Sequence, residues 1–245
     1  EHSVKSRLLS DVPVGSFLSG GLDSSIVATI AARELPQLDT FTVSFEDVID
    51  PYHGRADESE DAKKTAKIIG SKHHVIKVTA DMFRGNLDKF CKYGDLPFSV
   101  SSGLGILSIA NAAHELGIKV LLTGDGADEC FGGYSWYSYL SQANTNSEHI
   151  PEGEISFQNF GLPIKTRLTA LGQMTPSKRA WAWHYYAAEG EKQQLFSKDL
   201  FSQVESSHRY FYSLDHSSEI DDFIRHDRNF YFPNEMLRKI DRMCM

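Results

Sequence analysis

The feature of this sequence that most constrains its fold is a regular alternation of short apolar runs with longer helical stretches. Runs typical of buried strands lie at 12–18, 40–45, 74–78 and 119–123, and stretches typical of helices lie near 24–34, 57–69, 81–92 and 103–117. Strands that alternate with helices pair in parallel through right-handed crossovers. The first half of the chain is therefore predicted to be an α/β fold, a parallel sheet flanked by helices, with Gly70 ending the second helix.

A loop rich in glycine and serine joins the first predicted strand to the first predicted helix. It runs from Ser19 to Ser25 and reads Ser-Gly-Gly-Leu-Asp-Ser-Ser. In such a loop the backbone N–H groups and the helix N-terminus attract an anion, and Gly20 and Gly21 let a phosphate approach the main chain. Asp23 would repel that phosphate unless a cation lay between them, and Mg²⁺ is the usual bridge. The loop predicts a nucleotide bound together with a metal.

Two other nucleotide-binding loops are disfavoured. The stretch from Gly15 to Gly20 has the glycine spacing of a Walker A loop, but Gly21 and Leu22 stand where that motif needs Lys and Ser or Thr. Phosphoryl transfer of the Walker type is therefore not expected. Residues 103–108 begin like a dinucleotide fingerprint but lack its third glycine, and they are interpreted as the start of a helix.

A second loop with glycines and acids follows the predicted strand at 119–123. The stretch 123–134 reads Thr-Gly-Asp-Gly-Ala-Asp-Glu-Cys-Phe-Gly-Gly-Tyr. Ligands of open α/β sheets bind at the carboxyl ends of the strands, which is where this loop lies. Asp128 could share a metal with Asp23, and Asp125 could bind a metal or a substrate cation. Taken alone, the same residues could equally form a solvated acidic turn.

The first loop resembles the pyrophosphate loop of ATP pyrophosphatases, whose motif is Ser-Gly-Gly-x-Asp-Ser. Together the two loops resemble the synthetase domain of glutamine-dependent asparagine synthetases. The resemblance continues at 57–62, where Asp-Glu-Ser opens a predicted helix, and at 232–243, which is similar to the family's Leu-Pro-x-Asp-x-Leu-x-Lys-x-Asp-Arg-Met segment. These four blocks follow the family's order. Asp125 departs from it, since many members carry Glu there, and 142–230 carries no family motif.

This resemblance implies a Rossmann-like fold of the adenine nucleotide alpha hydrolase type. It implies an ATP-pyrophosphatase core at 1–141, a polar connection at 142–165 and a mainly helical part of the same domain at 166–245. The implied ATP- and pyrophosphate-binding residues are Leu18, Ser19, Gly20, Gly21, Asp23, Ser24, Val43, Thr123, Gly124 and Lys239. The implied catalytic acids are Asp23, Asp125 and Asp128, of which Asp23 and Asp128 bind Mg²⁺.

The implied reaction forms an amide at the expense of ATP. The side-chain carboxylate of aspartate is adenylated with release of pyrophosphate, and ammonia then displaces AMP to give asparagine. The family's N-terminal glutaminase domain, which would supply the ammonia from glutamine, and the segment that follows Met245 in the family are expected outside this sequence, and a homodimer is compatible with it. Two alternatives stay open: the same chemistry on another acid, as in β-lactam synthetases, peptide cyclases or sugar amidotransferases, and a non-catalytic ATP-binding module.

Composition narrows the partners. The formal net charge of −8 provides no basic patch of the kind that nucleic acid or an anionic membrane attracts, and no apolar stretch approaches 18 residues. Cys91, Cys130 and Cys244 are odd in number and far apart, which is typical of reduced thiols in a cytoplasmic protein.

Three further groups of residues have a simpler interpretation. His73 and His74 are adjacent on a predicted strand, so they point to opposite faces and cannot chelate one ion together. The aromatic cluster Trp181, Trp183, Tyr185 and Tyr186 is interpreted as core packing. The run 226–228, His-Asp-Arg, receives no role.

Overall fold

The computed structural model of the chain describes residues 1–45, 49–50, 54–55, 57–95, 102–141, 176–184, 189–205 and 219–244. The chain divides into two compact units. Unit 1 comprises Glu1–Asp125 and Glu235–Met245, and unit 2 comprises Gly126–Asn234. The connection predicted at 142–165 lies outside the described residues, and the domain boundaries predicted from the sequence stay predictions.

Unit 1 is built on a four-stranded parallel sheet. The strands are β1 (Val14–Phe17), β2 (Asp39–Phe45), β3 (Ile49–Asp50), β4 (Gly54–Arg55), β5 (Lys72–Val78) and β6 (Val120–Leu122). The sheet has the order β5-β2-β1-β6, while β3 and β4 form a separate antiparallel pair. Each of the four predicted strands is confirmed. Strand β1 begins at Val14 rather than at residue 12, because Pro13 has no N–H to donate to a neighbouring strand.

Helices flank this sheet. They are α1 (His2–Arg7), α2 (Leu22–Glu34), α3 (Ser59–Ile69), α4 (Ala80–Gly94) and α5 (Ser102–Glu115). The sequence predicted the last four of these. Helix α3 ends at Gly70, which takes the left-handed conformation at φ 71°, as the sequence predicted. A residue without a Cβ adopts that conformation at little cost, so glycine ends helices well.

The two faces of the sheet carry different helices. Adjacent residues of a strand point to opposite faces. Leu121 packs with Ile109 of α5, whereas Leu122 packs against a cluster that includes Ala28 of α2 and Ala62 of α3. The sheet is therefore the middle layer of a three-layer α/β arrangement, which confirms the predicted fold class.

The described residues of unit 2 lie in helices and the turns between them. The helices are α6 (Ala127–Phe131), α7 (Ser135–Ser141), α8 (Pro176–His184), α9 (Glu189–Leu195), α10 (Lys198–Phe201) and α11 (Glu219–His226). The core of the unit joins α7, α8 and α11 through Tyr137, Leu140, Ala180, Trp183 and Phe223. Burial of Trp181 and Trp183 confirms the prediction that they pack in a core. Tyr185 and Tyr186 lie outside the described residues.

A π-helical segment, Asp227–Leu237, follows α11 directly, and α12 (Arg238–Cys244) completes unit 1. Helix α12 packs against α4 and α5, where Met243 joins Phe90 and Leu104 in a buried cluster. The three cysteines are free thiols. Within the described ranges, no helix has the length and apolar character needed to cross a membrane.

Candidate active site

The loop after β1 is held in shape by its own serines. The hydroxyl of Ser24 accepts a hydrogen bond from the backbone N–H of Ser19 at 3.0 Å, and the two hydroxyl oxygens lie 2.9 Å apart. The Ser19 hydroxyl in turn accepts from the N–H of Gly21 at 3.0 Å. Leu18, just before the loop, donates its N–H to the carbonyl of Phe41 at 2.9 Å. The loop therefore leaves the end of the sheet in a defined path and opens α2, whose first turn carries Asp23.

One amide of the loop already donates to an anion. The N–H of Gly20 donates to a carboxylate oxygen of Glu58 at 3.1 Å. A carboxylate oxygen and a phosphate oxygen are both anionic acceptors, so Glu58 stands in for the phosphate that the loop is predicted to bind. This contact shows that the Gly20 amide is oriented to donate to an anionic oxygen, and phosphate binding by the loop stays a prediction.

Glu58 is placed by the start of α3. The neighbouring Asp57 accepts from the N–H of Ser59 at 2.8 Å and from the hydroxyl of Ser44 at 2.8 Å, which ties the helix start to the end of β2. Burial acts to raise the pKa of Asp57, but the hydrogen bonds from Ser59, Ser44 and the Phe45 backbone outweigh it and hold that pKa below its ordinary value. Asp57 is therefore an anchor for the helix start.

The loop after β6 lies directly against the first loop. A Cβ added to Gly124 would come within 2.7 Å of the Ser24 backbone nitrogen and 3.1 Å of the Asp23 Cβ, so only glycine fits there. Thr123 accepts the N–H of Asp125 at 3.1 Å through its hydroxyl, and Asp125 is exposed. The structure thus brings Ser24, Asp23, Thr123, Gly124 and the start of the acidic loop into one place.

Two other predicted site residues lie in unit 1. Val43 is half-buried in β2, and its methyl group lies 3.7 Å from where a Cβ on Gly105 would stand, so its side chain faces α5. Lys239 is buried on α12, and its ammonium donates to the Met236 sulfur at 3.5 Å. Arg242, one turn away, meets a carboxylate, that of Asp95, at 3.5 Å.

The rest of the acidic loop belongs to unit 2. The carbonyl of Asp128 accepts from the N–H groups of Gly132 and Gly133 at 2.8 and 3.1 Å. A side chain at Gly133 would collide with the Asp128 carboxylate, which explains a glycine at that position. Glu129 is buried and accepts a hydrogen bond from the Tyr134 hydroxyl at 2.8 Å. Burial raises the pKa of Glu129, although the hydrogen bond from Tyr134 acts in the opposite direction.

Comparison with known proteins identifies the family of this chain. Residues 1–245 match the sequence profile of the family described as asparagine synthase. The chain belongs to the asparagine synthase family. Because the match covers the whole chain, the serine- and glycine-rich loop and the acidic loop both lie inside one family domain.

Two fungal relatives are named amidases. This asparagine synthase family member is 36% identical over 184 residues to Amidase chyE of Penicillium rubens, which covers 69% of this chain and 25% of the relative. It is 30% identical over 199 residues to Amidase chry2 of Gibberella zeae, which covers 68% of this chain and 29% of the relative.

A bacterial relative is named asparagine synthetase [glutamine-hydrolyzing] 1, from Bacillus subtilis. It is 36% identical over 135 residues, which covers 55% of this chain and 20% of the relative. The matched region therefore spans less than a third of the length of each of these three curated relatives.

Magnesium binding by the two predicted ligands stays a prediction. Asp23 belongs to unit 1 and Asp128 to unit 2, and the surroundings of each have been described within its own unit. Asp23 lies in the first turn of α2 and Asp128 in the first turn of α6. The donor set, two carboxylates beside phosphate oxygens, has the chemistry that Mg²⁺ prefers.

A cavity of about 220 Å³ lies on the α5 side of the sheet. Its lining includes Phe17, His114, Ile118, Thr123 and Ile240. Thr123 is its link to the candidate site, while Ser19 to Ser24 do not line it. At the predicted phosphate loop, the exposed Gly20 amide contacts the carboxylate of Glu58.

Sequence reasoning missed three polar residues of these loops. Glu58 was recognised as part of a family-like segment, but nothing in the sequence placed it at Gly20. Glu129 directly follows the predicted ligand Asp128, and its partner Tyr134 ends the same segment. One signal was available. Gly132 and Gly133 lie between Glu129 and Tyr134, so the chain can turn there and bring the tyrosine hydroxyl back to the acid.

Proposed function

We propose that this chain activates a carboxylic acid by adenylation with ATP and transfers the acyl group to ammonia. The observation that carries the proposal is the contact of the two loops at Gly124, beside an amide of Gly20 that donates to an anion. One loop offers donors for phosphate oxygens and the other offers acids. A reaction that cleaves ATP and releases pyrophosphate would use both, the donors to hold the pyrophosphate and the acids to hold a cation beside it.

Each predicted residue has a role in this proposal. The segment Ser19 to Ser24 holds the β- and γ-phosphates through backbone N–H groups and serine hydroxyls. The main chain near Leu18, Val43 and Gly124 receives adenine, with Thr123 and Lys239 completing the nucleotide site. Asp23 and Asp128 hold Mg²⁺, which would neutralise charge on the leaving pyrophosphate. Asp125 faces the reacting carboxylate or its cationic group.

The proposed substrate acid is aspartate. Its side-chain carboxylate oxygen attacks the α-phosphorus, and the bond to the bridging oxygen of pyrophosphate breaks. Ammonia then attacks the activated carbonyl carbon, AMP leaves, and asparagine forms. The protein contributes by holding the reactants in line and by stabilising negative charge, so no side chain is assigned as a general base.

A second candidate keeps the chemistry and changes the acid. The amidase names of the relatives from Penicillium rubens and Gibberella zeae favour it, since neither name specifies aspartate. An acyl acceptor other than ammonia belongs to the same candidate. A non-catalytic ATP-binding module is a third one, for which the replacement of the family's usual Glu by Asp125 is the single favourable observation.

The proposal extends to partners and location. We propose that ammonia reaches the site from a glutaminase domain acting on glutamine, that the protein works in the cytoplasm, and that a homodimer is its assembly. Free thiols at Cys91, Cys130 and Cys244 support the location, because cytoplasmic proteins keep cysteines reduced.

The test is product analysis. The protein is incubated with MgATP and ammonia, with and without aspartate, and AMP, ADP, pyrophosphate and asparagine are resolved by chromatography. Aspartate-dependent AMP and pyrophosphate with asparagine support the proposal. AMP formed only with another acid moves the substrate and keeps the chemistry. Formation of ADP, or no turnover by a folded protein that still binds MgATP, contradicts adenylation.

A further inference from the structure

Three potential metal ligands converge inside unit 2, a region to which the proposed adenylation assigns no role. They are His184 at the end of α8, His226 at the end of α11 and Asp227 at the start of the π-helical segment. One ligand atom from each lies within 4.8 Å of the other two. The side chains of His184 and Asp227 are 8% and 2% exposed, and His226 is fully buried. Burying two imidazoles and a carboxylate this close together costs free energy unless their polar atoms are satisfied.

His226 is a residue of the cluster that bears this cost. Neither of its ring nitrogens has a hydrogen-bond partner in the part of the chain that the structure describes. An imidazole has a lone pair on one nitrogen and a proton on the other, and leaving both without partners in a dry interior is costly. A neutral imidazole with a free lone pair is the form that binds metals.

The other two ligands are held in orientation by neighbours. Asp227 accepts from His184 Nε2 through Oδ1 at 2.9 Å, and its other oxygen accepts from the Tyr137 hydroxyl at 2.8 Å and from Trp136 Nε1 at 3.3 Å. The Tyr231 ring stacks on His184 with a centroid distance of 4.3 Å. Donors that fix the second oxygen of a ligating carboxylate are a regular feature of metal sites.

An aromatic wall surrounds the cluster. Trp181 lies edge-on to His226 at 4.4 Å between ring centroids, and Trp136 lies edge-on to His184 at 5.9 Å. The rings of His184 and His226 face each other at 5.7 Å. Such a wall shields the cluster from bulk solvent, so an ion held there would be structural rather than open to substrate.

We propose that His184, His226 and Asp227 bind one structural zinc ion that ties α8, α11 and the π-helical segment together. Two imidazole nitrogens and one carboxylate oxygen suit zinc, which takes four ligands at about 2.0–2.2 Å in a tetrahedral arrangement. The fourth ligand is one water molecule enclosed with the ion, or a neighbouring side chain that moves slightly to reach it. On binding, His184 coordinates through a ring nitrogen that carries no proton and keeps its single N–H on the other ring nitrogen, so a bond to the ion replaces the present contact with Asp227.

The experiment measures zinc directly and does not depend on ATP turnover. The complete, untagged chain is freed of metal with a strong chelator, titrated with Zn²⁺ in the presence of excess Mg²⁺, and its zinc content is counted by mass spectrometry. We expect the titration to give about one equivalent of tightly bound zinc. His226→Gln should weaken zinc binding by more than about a hundredfold, and Tyr137→Phe, which acts through Asp227, by about tenfold or more. His74→Gln removes a histidine of unit 1 that pairs with Asp39, and it should change nothing.

A second measurement covers variants that fail to fold. Co²⁺ is added to the metal-free wild-type chain in place of Zn²⁺. The three tryptophans of the chain all lie in unit 2, two of them against the cluster, so Co²⁺ bound there should quench their fluorescence and give the visible absorption of a tetrahedral N/O site, and Zn²⁺ should reverse both. Stoichiometric zinc that persists in His226→Gln, or a wild-type chain that binds neither ion under these conditions, would overturn the proposal.

Discussion

The polar groups of the two units differ in how far apart their hydrogen-bond partners lie in the sequence and in how deeply they are buried. In unit 1 the loop after β1 is exposed at Gly20 and Gly21, and its serines bond within five residues of one another. In unit 2 Asp227 is buried and receives Tyr137, His184 and Trp136 from 43 to 91 residues away. The exposed Gly20 amide of the first loop has a carboxylate partner, Glu58, that a substrate oxygen can replace. The set of polar groups in unit 2 is closed in, so its removal is expected to lower stability rather than to alter binding.

The largest expected effect is on activity, from Asp23→Ala. Loss of this carboxylate removes one proposed magnesium ligand, so Mg²⁺-dependent pyrophosphate release should fall at least about a hundredfold. Because Asp23 is half-buried in the first turn of α2 and outside the core clusters, the free energy of unfolding from a circular dichroism melt should stay within about 1 kcal/mol of wild type. Pyrophosphate release at saturating MgATP checks the first part.

Asp81→Ala is the matched control. Asp81 is also an acid in the first turn of a helix, α4, and pairs there with Arg84. Its removal should leave pyrophosphate release unchanged. Equal losses in the two variants would mean that helix stability, not metal binding, explains the result.

The next effect is steric and tests the contact between the loops of unit 1. In Gly124→Ala, the new methyl group meets the backbone nitrogen of Ser24, which cannot move away as a flexible side chain could. We expect a loss of about 1–3 kcal/mol in stability together with weaker ATP binding. Gly85→Ala in the middle of α4 makes the same change where nothing lies within 4 Å, and it should stabilise by about 0.5–1 kcal/mol. Effects of the same sign would show that the loops do not approach as closely as the structure has them.

The third effect belongs to unit 2. Tyr137→Phe removes the hydroxyl that donates to buried Asp227 and should cost about 1.5–3 kcal/mol. Urea unfolding followed by tryptophan fluorescence measures it, since all three tryptophans of the chain lie in this unit. Tyr93→Phe is the control. Tyr93 is an exposed residue of α4 in unit 1, so its loss of a hydroxyl should leave the urea midpoint of the tryptophan transition unchanged. A Tyr137→Phe variant as stable as wild type would remove the distinction drawn between the two units.

The same difference in sequence separation explains what could be predicted. Strands β1, β2, β5 and β6 and helices α2 to α5 follow from local patterns, and so does the Gly70 cap. The Ser19 to Ser24 loop was predicted because its donors and acceptors are a few residues apart. These features depend on neighbours in the sequence, which one sequence displays.

Other features could not be found in that way. Glu58 lies 38 residues from Gly20, and its place at the loop depends on how α3 packs. His226 and Asp227 received no role, because their partners come from α7 and α8, far away in the chain. Strand β5 begins at Lys72, two residues before the predicted run, because the hydroxyl of Thr40 in β2 pairs with His73 and Asp39 pairs with His74. Polar cross-strand partners leave no apolar signal in the sequence.

A smaller effect, on the KM for ATP, tests whether a substrate replaces Glu58 as the partner of Gly20. Glu58→Gln removes the negative charge that competes with phosphate for Gly20, so the KM for ATP should fall by about two- to fivefold at low salt. Glu60→Gln changes the next exposed acid on α3, which pairs with Lys63, and should have a weaker effect. A higher KM in Glu58→Gln would mean that the acid takes part in binding, through a cation for example, rather than competing with the nucleotide.

The smallest effect concerns pH and the buried acid of unit 2. Burial, aided by the charges of Asp128 and Asp227, holds the pKa of Glu129 above its ordinary 4.5 despite the hydrogen bond from Tyr134. A raised pKa in the folded state means that its contribution to stability is complete below about pH 4.5 and is lost as the pH rises through the raised value. Glu129→Gln keeps an acceptor for Tyr134 and cannot titrate. Its stability relative to wild type, from urea midpoints read by tryptophan fluorescence, should therefore increase as the pH rises above 4.5. Glu205→Gln, at an exposed acid of the same unit, is the control variant for the loss of one carboxylate. A stability difference between Glu129→Gln and wild type that does not change with pH would mean that water reaches the Glu129 carboxylate, and that unit 2 is as open to solvent around this acid as the loop of unit 1.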